Sequence, residues 1–150
     1  MKGPLTFNAS KTVIPGDCTV NGDLTFATGK TLTGYNNVVE NHTAGDTLTL
    51  AESGSIHTNY GASGAVALKL PASATAGTTF KFVAAAAQEL RIVVAASGES
   101  FIANGITSTD DTGNDLYLGA DDEGEMATFT CIAAGIWLVD VIGTWTIVQP

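Results

Sequence analysis

The stretch MATFTCIAAGIWLVDVI, residues 126–142, decides the fold. Two runs rich in β-branched and aromatic residues, Met126–Ala133 and Ile136–Ile142, meet at Ala133-Ala134-Gly135, whose small residues and glycine suit a hairpin turn. The stretch therefore predicts a β-hairpin. In its second arm Trp137, Val139 and Val141 alternate with Ile136, Leu138 and Ile142, so both faces are apolar and only Asp140 interrupts. A strand of that kind is either central among other strands or packed on one side against another subunit.

The same grammar recurs upstream and downstream. Thr47–Leu50, Ala65–Leu70, Thr78–Val83, Leu90–Ala95 and Trp145–Val148 are short runs rich in Val, Ile, Thr, Leu and Phe, separated by Gly, Ser, Asn and Asp clusters. Val66, Leu68 and Leu70 share one face of their run, as do Phe80 and Phe82 of theirs, so these faces should build the core. Pro71 ends the first of these runs and Gly77 restarts the chain, which predicts that Ala65–Leu70 and Thr78–Val83 form an antiparallel pair. Ala84–Leu90 has the composition of a helix, but seven residues allow only a turn or two.

The N-terminal segment carries a repeat. LTFNASKTV (residues 5–13) returns nineteen residues later as LTFATGKTL (residues 24–32), with Leu, Thr, Phe, Lys and Thr in identical places. Each copy reads as strand, corner, strand, with Gly29 suited to a corner in the second. The expected fold class is all-β: an N-terminal β-strand arm with a 19-residue repeat (1–34), a polar linker (35–45) and an antiparallel β-sandwich of jelly-roll type (46–150).

With 150 residues the chain is long enough for one main core. Hydrophobic residues make up 45% and charged ones 14%, which speaks for a folded chain, and the mean hydropathy of +0.23 suggests that partners cover some apolar surface. The net charge of −9 is concentrated at one end: residues 1–91 hold six acids and six bases, residues 92–150 nine acids and no Lys or Arg. A surface of that sign repels phosphate backbones and anionic lipid headgroups, so neither direct nucleic-acid binding nor a membrane partner is expected. Met1–Ser10 has no apolar core of an export signal, and no segment is long and apolar enough to span a bilayer.

Little in the sequence carries chemistry. Cys18 and Cys131 lack the spacing of a disulfide framework or zinc site and read as ordinary thiols. His42 and His57, in polar or Gly-rich surroundings, read as surface or structural histidines. No nucleophile elbow or phosphate loop occurs. Ser108–Glu125 packs seven carboxylates and Asn114 into eighteen residues, and Asp110, Asp111, Asn114 and Asp115 around Gly113 are weak calcium candidates. The order of residues departs from an EF-hand loop, and the stretch reads chiefly as solvated acidic loops. No cofactor and no enzymatic activity are expected.

The runs AGDTLTLAESGSIHTNYGASGAVALKLP (44–71), GTTFKFVAAAAQELRIVVAASG (77–98) and GIWLVDVIGTW (135–145) resemble the β-rich surface modules of tailed-bacteriophage virions, found in head decoration proteins and tail appendages. The resemblance covers about 105 residues and rests on Gly, Thr and aliphatic spacing. It implies a structural role without catalysis, often as a homotrimer, on the surface of a virion.

Two strand units bury little by themselves, whereas three chains around a threefold axis would pool Leu5, Phe7, Val13, Leu24, Phe26 and Leu32 into one apolar layer. The expected function is thus capsid decoration: a homotrimer, made without a signal peptide, that bridges neighbouring subunits of the major capsid protein. The alternative is a tail-fibre or receptor-binding module that stacks a host glycan on Trp137, Trp145 or Tyr60.

Overall fold

The computed structural model describes residues 37–103, 106–110 and 116–149. The repeat and its Leu5, Phe7, Val13, Leu24, Phe26 and Leu32 lie outside the described residues, as do Cys18, Asp111, Asn114 and Asp115. In chain order the strands are β1 (Val39–Asn41), β2 (Asp46–Thr47), β3 (Ile56–Thr58), β4 (Val66–Lys69), β5 (Thr79–Val83), β6 (Leu90–Val93), β7 (Ser100–Ala103), β8 (Ile106–Thr109), β9 (Tyr117–Ala120), β10 (Met126–Ala133), β11 (Ile136–Ile142) and β12 (Thr146–Val148). A single 3₁₀ turn, Leu50–Glu52, is the nearest thing to a helix among the described residues. None there is long and apolar enough to cross a membrane.

The protein is all-β, with two mixed sheets. One runs β1-β3-β5-β10-β11-β7-β8 and the other β12-β9-β6-β4-β2. The expected antiparallel arrangement is corrected here, because the β1–β3, β3–β5, β7–β11, β2–β4 and β4–β6 pairings are all parallel. The predicted pairing of Ala65–Leu70 with Thr78–Val83 also fails: β4 and β5 belong to different sheets. Their apolar faces do share the core, but the chain between Pro71 and Gly77 crosses from one sheet to the other instead of turning back on itself.

The hairpin forms with the boundaries that the alternation predicts. Phe129 pairs with Val139 and Thr128 with Asp140, and a register shift between Cys131 and Ala133 accommodates the turn. Gly135 there has φ of +72°, which favours glycine, and a Cβ would come within 3.2 Å of Glu99 Cγ, so that side chain would have to shift by a few tenths of an ångström to admit one.

Inward positions of the larger sheet (Phe80, Phe82, Phe101, Phe129, Trp137) meet inward positions of the smaller one (Val66, Leu68, Leu90, Ile92, Leu118) in one cluster, all of them at most 1% exposed. Each such side chain contributes about 1.5–3 kcal/mol of transfer free energy. Phe82 and Phe101 both stand edge-on to Phe129, with centroids 5.2 and 5.4 Å away, the geometry that aromatic quadrupoles favour.

No helix forms at 84–90. Asn59, buried at the end of β3, accepts hydrogen bonds from the backbone N–H groups of Ala85 (2.7 Å) and Ala86 (3.0 Å) and donates to the carbonyl of Gln88 (2.7 Å). One side chain thus takes over backbone groups that a helical turn would have used, and fixes the crossing from β5 to β6.

Candidate functional site

Three features of the fold can engage something outside the chain. The first is the outward face of the larger sheet. Its register places Val83, Met126 and Ile142 in one row and Thr79, Thr130, Leu138 and Ile102 in another, with Lys81, Thr128 and Asp140 between them. Leu138 is 47% and Ile142 61% exposed, and Ile132 at the bulge is 46% exposed. The apolar second face read from Ile136–Ile142 is therefore real, and no described part of the chain covers it.

The second feature lies where β1 and β3 run parallel. Glu40 is the register partner of His57, so the two side chains leave the sheet on the same face, and His42 follows Glu40 by two residues onto that face. His42 Nε2 stands 3.0 Å from His57 Nδ1, and Glu40 Oε2 stands 3.8 Å from that same Nδ1. His57 Nε2 is 2.7 Å from Ser55 Oγ, and Asp46, brought by β2 from the other sheet, faces His42 Nδ1 at 3.5 Å. Glu52 stands beside Glu40 and accepts hydrogen bonds from the Thr49 hydroxyl and N–H.

Of the two readings that the sequence offers, surface or structural, the first fails: these histidines are not at the surface. His42 is nearly buried and His57 fully so, between Phe80 and Phe82 with ring centroids 5.7 Å from each. Burial, with the neighbouring His42 ring adding to it, lowers the His57 pKa from 6.5 to about 4. Burial and the Glu52 charge raise that of Glu40. Burial also pushes Glu52 upward, but the hydrogen bonds donated by Thr49 outweigh it and hold the carboxyl below its ordinary range. Ligand atoms of Glu40, His42 and His57 all lie within 4.8 Å of one another, a set that can hold a metal ion.

The depressed His57 pKa has a sign. The unfolded chain binds a proton near pH 6.5 and the folded one only near pH 4, so the unfolded state gains protons first on acidification. Stability from this group is complete above about pH 6.5 and is lost as the pH falls towards 4. In chelator-treated protein, urea unfolding at pH 7 and pH 4.5 should differ by about 2 kcal/mol through His57, a difference that His57→Gln removes.

The third feature is a groove of about 480 Å³ between the sheets, lined by Ala103, Ser108, Leu118, Val141, Trp145, Thr146, Ile147 and Gln149. Trp145 is half-buried there, and its indole N–H has no partner among the described residues. Trp137, by contrast, is wholly inside the core, 6.1 Å from Phe80, which removes it as a stacking platform for a ligand. Tyr60 is exposed, away from that groove.

The acidic stretch resolves into different parts. Residues 106–109 and 117–120 are strands, while Asp121, Asp122 and Glu123 are exposed as solvated loops should be. Asp110, alone of the calcium candidates among the described residues, is buried. Glu125 is buried too: it accepts hydrogen bonds from Asp122 N (3.2 Å) and Thr144 N and ties two turns together. Gly143, with φ of +98°, presses so close that a Cβ would lie 2.7 Å from Glu125 Cγ. Glu99 plays the same part for Ala95 N and Ala96 N. Cys131 is buried, and burial raises its thiol pKa, so it is an inert thiol.

No protein-family model matches the chain, and no curated protein matches it.

Proposed function

We propose that the chain is a non-enzymatic structural protein of a bacteriophage virion, which decorates the capsid as a homo-oligomer and bridges neighbouring subunits of the major capsid protein. On this reading the two sheets are a β-sandwich that serves as a rigid body, and its outward faces do the binding. The observation that carries it is the pair of rows on the larger sheet that no described residue covers, in which Leu138 and Ile142 stand exposed beside Met126, Val83 and Thr130. A face on which exposed apolar side chains are interspersed with threonines and two charges, Lys81 and Asp140, suits a protein interface. The resemblance of residues 44–71, 77–98 and 135–145 to phage surface modules supports the same reading. The buried carboxylates Glu99 and Glu125 are engaged in holding turns, which fits a scaffold.

Co-sedimentation with undecorated capsids tests it. The full chain should pellet with capsids and raise their resistance to bursting, and Leu138→Lys/Ile142→Lys should weaken the association at least tenfold; a chain that stays in the supernatant overturns the proposal.

The Trp145 groove favours a second reading, a receptor-binding module for a host glycan, since a half-buried indole beside Ser108, Thr146 and Gln149 offers both a stacking face and polar groups. A saccharide-dependent change in tryptophan emission that Trp145→Ala abolishes would support that reading over capsid binding.

A further inference from the structure

We infer that Glu40, His42 and His57 form a binding site for a divalent transition-metal cation of the zinc type, and that the ion clips the edge strand β1 to β3. This goes beyond the assembly role and does not depend on it.

The hydrogen-bond pattern fixes which ring atoms are available. The Ser55 hydroxyl donates its proton to the Glu52 carbonyl, so its oxygen accepts from His57 Nε2–H. His57 therefore presents a bare lone pair at Nδ1, and that lone pair points at His42 Nε2 and the Glu40 carboxylate. On the far side of His42, the Asp46 carboxylate faces Nδ1 and favours a proton there. With the His42 proton on Nδ1, Nε2 also presents a lone pair, and the two lone pairs confront each other 3.0 Å apart. Moving that proton to Nε2 repairs the contact between the rings but turns the His42 Nδ1 lone pair towards a carboxylate. Neutral histidines can satisfy one side of His42 and not both.

A cation between the rings satisfies both sides. Zinc bonds of about 2.0–2.1 Å at tetrahedral angles separate ligand atoms by about 3.3 Å; the two separations from His57 Nδ1, 3.0 and 3.8 Å, bracket that value, and all three ligand atoms lie within 4.8 Å of one another. Asp46 behind His42, and Ser55 behind His57, are the outer partners that set tautomer and ring orientation at metal-bound imidazoles. The donor set of two imidazoles and a carboxylate suits zinc, cobalt(II) or iron(II) better than calcium, which prefers oxygen throughout. Glu52, whose charge acts on Glu40, adds a second carboxylate beside the site. Glu40 and Asp46 are 34% and 55% exposed, so an ion has a route in from solvent.

The consequence is mechanical. Among the described residues β1 is an edge strand, joined to the sheet by three parallel register pairs with β3. A short parallel edge of that kind frays readily, and an ion held by Glu40 and His42 on one side and His57 on the other would pin it.

The full chain, stripped with chelator, is titrated with Zn²⁺ and with Co²⁺. We expect one ion per chain, a Tm raised by roughly 10 °C at a hundredfold excess over Kd, and slower amide exchange at residues 39–41. Co²⁺ should give the intense visible d–d bands of a four-coordinate N/O site, without a thiolate charge-transfer band. Glu40→Gln and His42→Gln should each weaken binding at least tenfold, and Asp46→Asn by about 10- to 100-fold through loss of orientation. Glu40 is part-exposed, so the metal-free Tm of Glu40→Gln should stay near wild type, which separates lost binding from lost folding. Absence of any Zn²⁺ stabilisation, a thiolate band, or binding that survives His42→Gln would overturn the inference.

Discussion

Asn59→Ala is expected to destabilise the protein by about 3 kcal/mol, although the residue contributes almost nothing to the apolar core. Its side chain is fully buried and makes a fork: Oδ1 takes the N–H groups of Ala85 and Ala86, and Nδ2 reaches the carbonyls of Gln88 and, at 3.4 Å, Ala86. Truncation leaves two backbone donors and an acceptor without partners in a half-buried loop, at a cost of about 1–3 kcal/mol for each group that water fails to reach. That loop carries the chain from one sheet to the other, so the damage is not confined to a surface turn. Urea unfolding of the full chain measures it, with amide exchange at Ala85 and Ala86 as the local readout. A loss below about 1 kcal/mol would mean that the loop holds its shape without Asn59.

Phe82→Ala should cost about 4 kcal/mol, the larger of the two effects. Phe82 has no solvent exposure and touches rings on three sides: His57 at 5.7 Å, Phe80 at 6.3 Å and Phe129 at 5.2 Å in an edge-to-face arrangement. The substitution removes buried area, the aromatic pairing and one wall of the His57 pocket, and the strands around the hole are held in register by β3 and β10 on either side. Against a total stability of about 5–15 kcal/mol for a domain, that is a large fraction. The denaturation midpoint should fall with the slope unchanged; a change smaller than about 2 kcal/mol would imply that Phe80 and Phe129 collapse into the space.

How much of this is legible in the sequence depends on the length of the pattern. Met126–Ala133 and Ile136–Ile142 are readable to the residue because alternation persists over seven or eight positions and a Gly-bearing turn joins them. β5, β6 and β12 are readable within one or two residues at their ends. β1, β3, β7, β8 and β9 escape notice because a polar residue or glycine (Glu40, His57, Ser100, Ser108 and Gly119) breaks the apolar pattern of each, and β1 falls inside the polar stretch 35–45 that reads as a linker. Parallel pairings leave no local mark at all, since the partner strand lies a crossover away and no turn announces it.

The histidine cluster fails to show for the same reason. Glu40-Asn41-His42 and Ser55-Ile56-His57 each put two polar groups at the period of a strand, which is a signal. The parallel register that makes Glu40 and His57 neighbours is visible only in the fold. Burial of His57 against Phe80 and Phe82 is likewise a property of the assembled sheets, because nothing next to His57 in sequence is large and apolar except Ile56, which faces the other way.

The central claim is that the outward face of the larger sheet binds other protein chains. Light scattering on the full chain and on Leu138→Lys/Ile142→Lys, with Tm measured on both, tests it most directly. The native sequence should be an oligomer and the variant a smaller species at nearly equal Tm, because both side chains are exposed and carry little of the fold. A native chain that is monomeric, or a variant that keeps the full oligomeric mass, would contradict it.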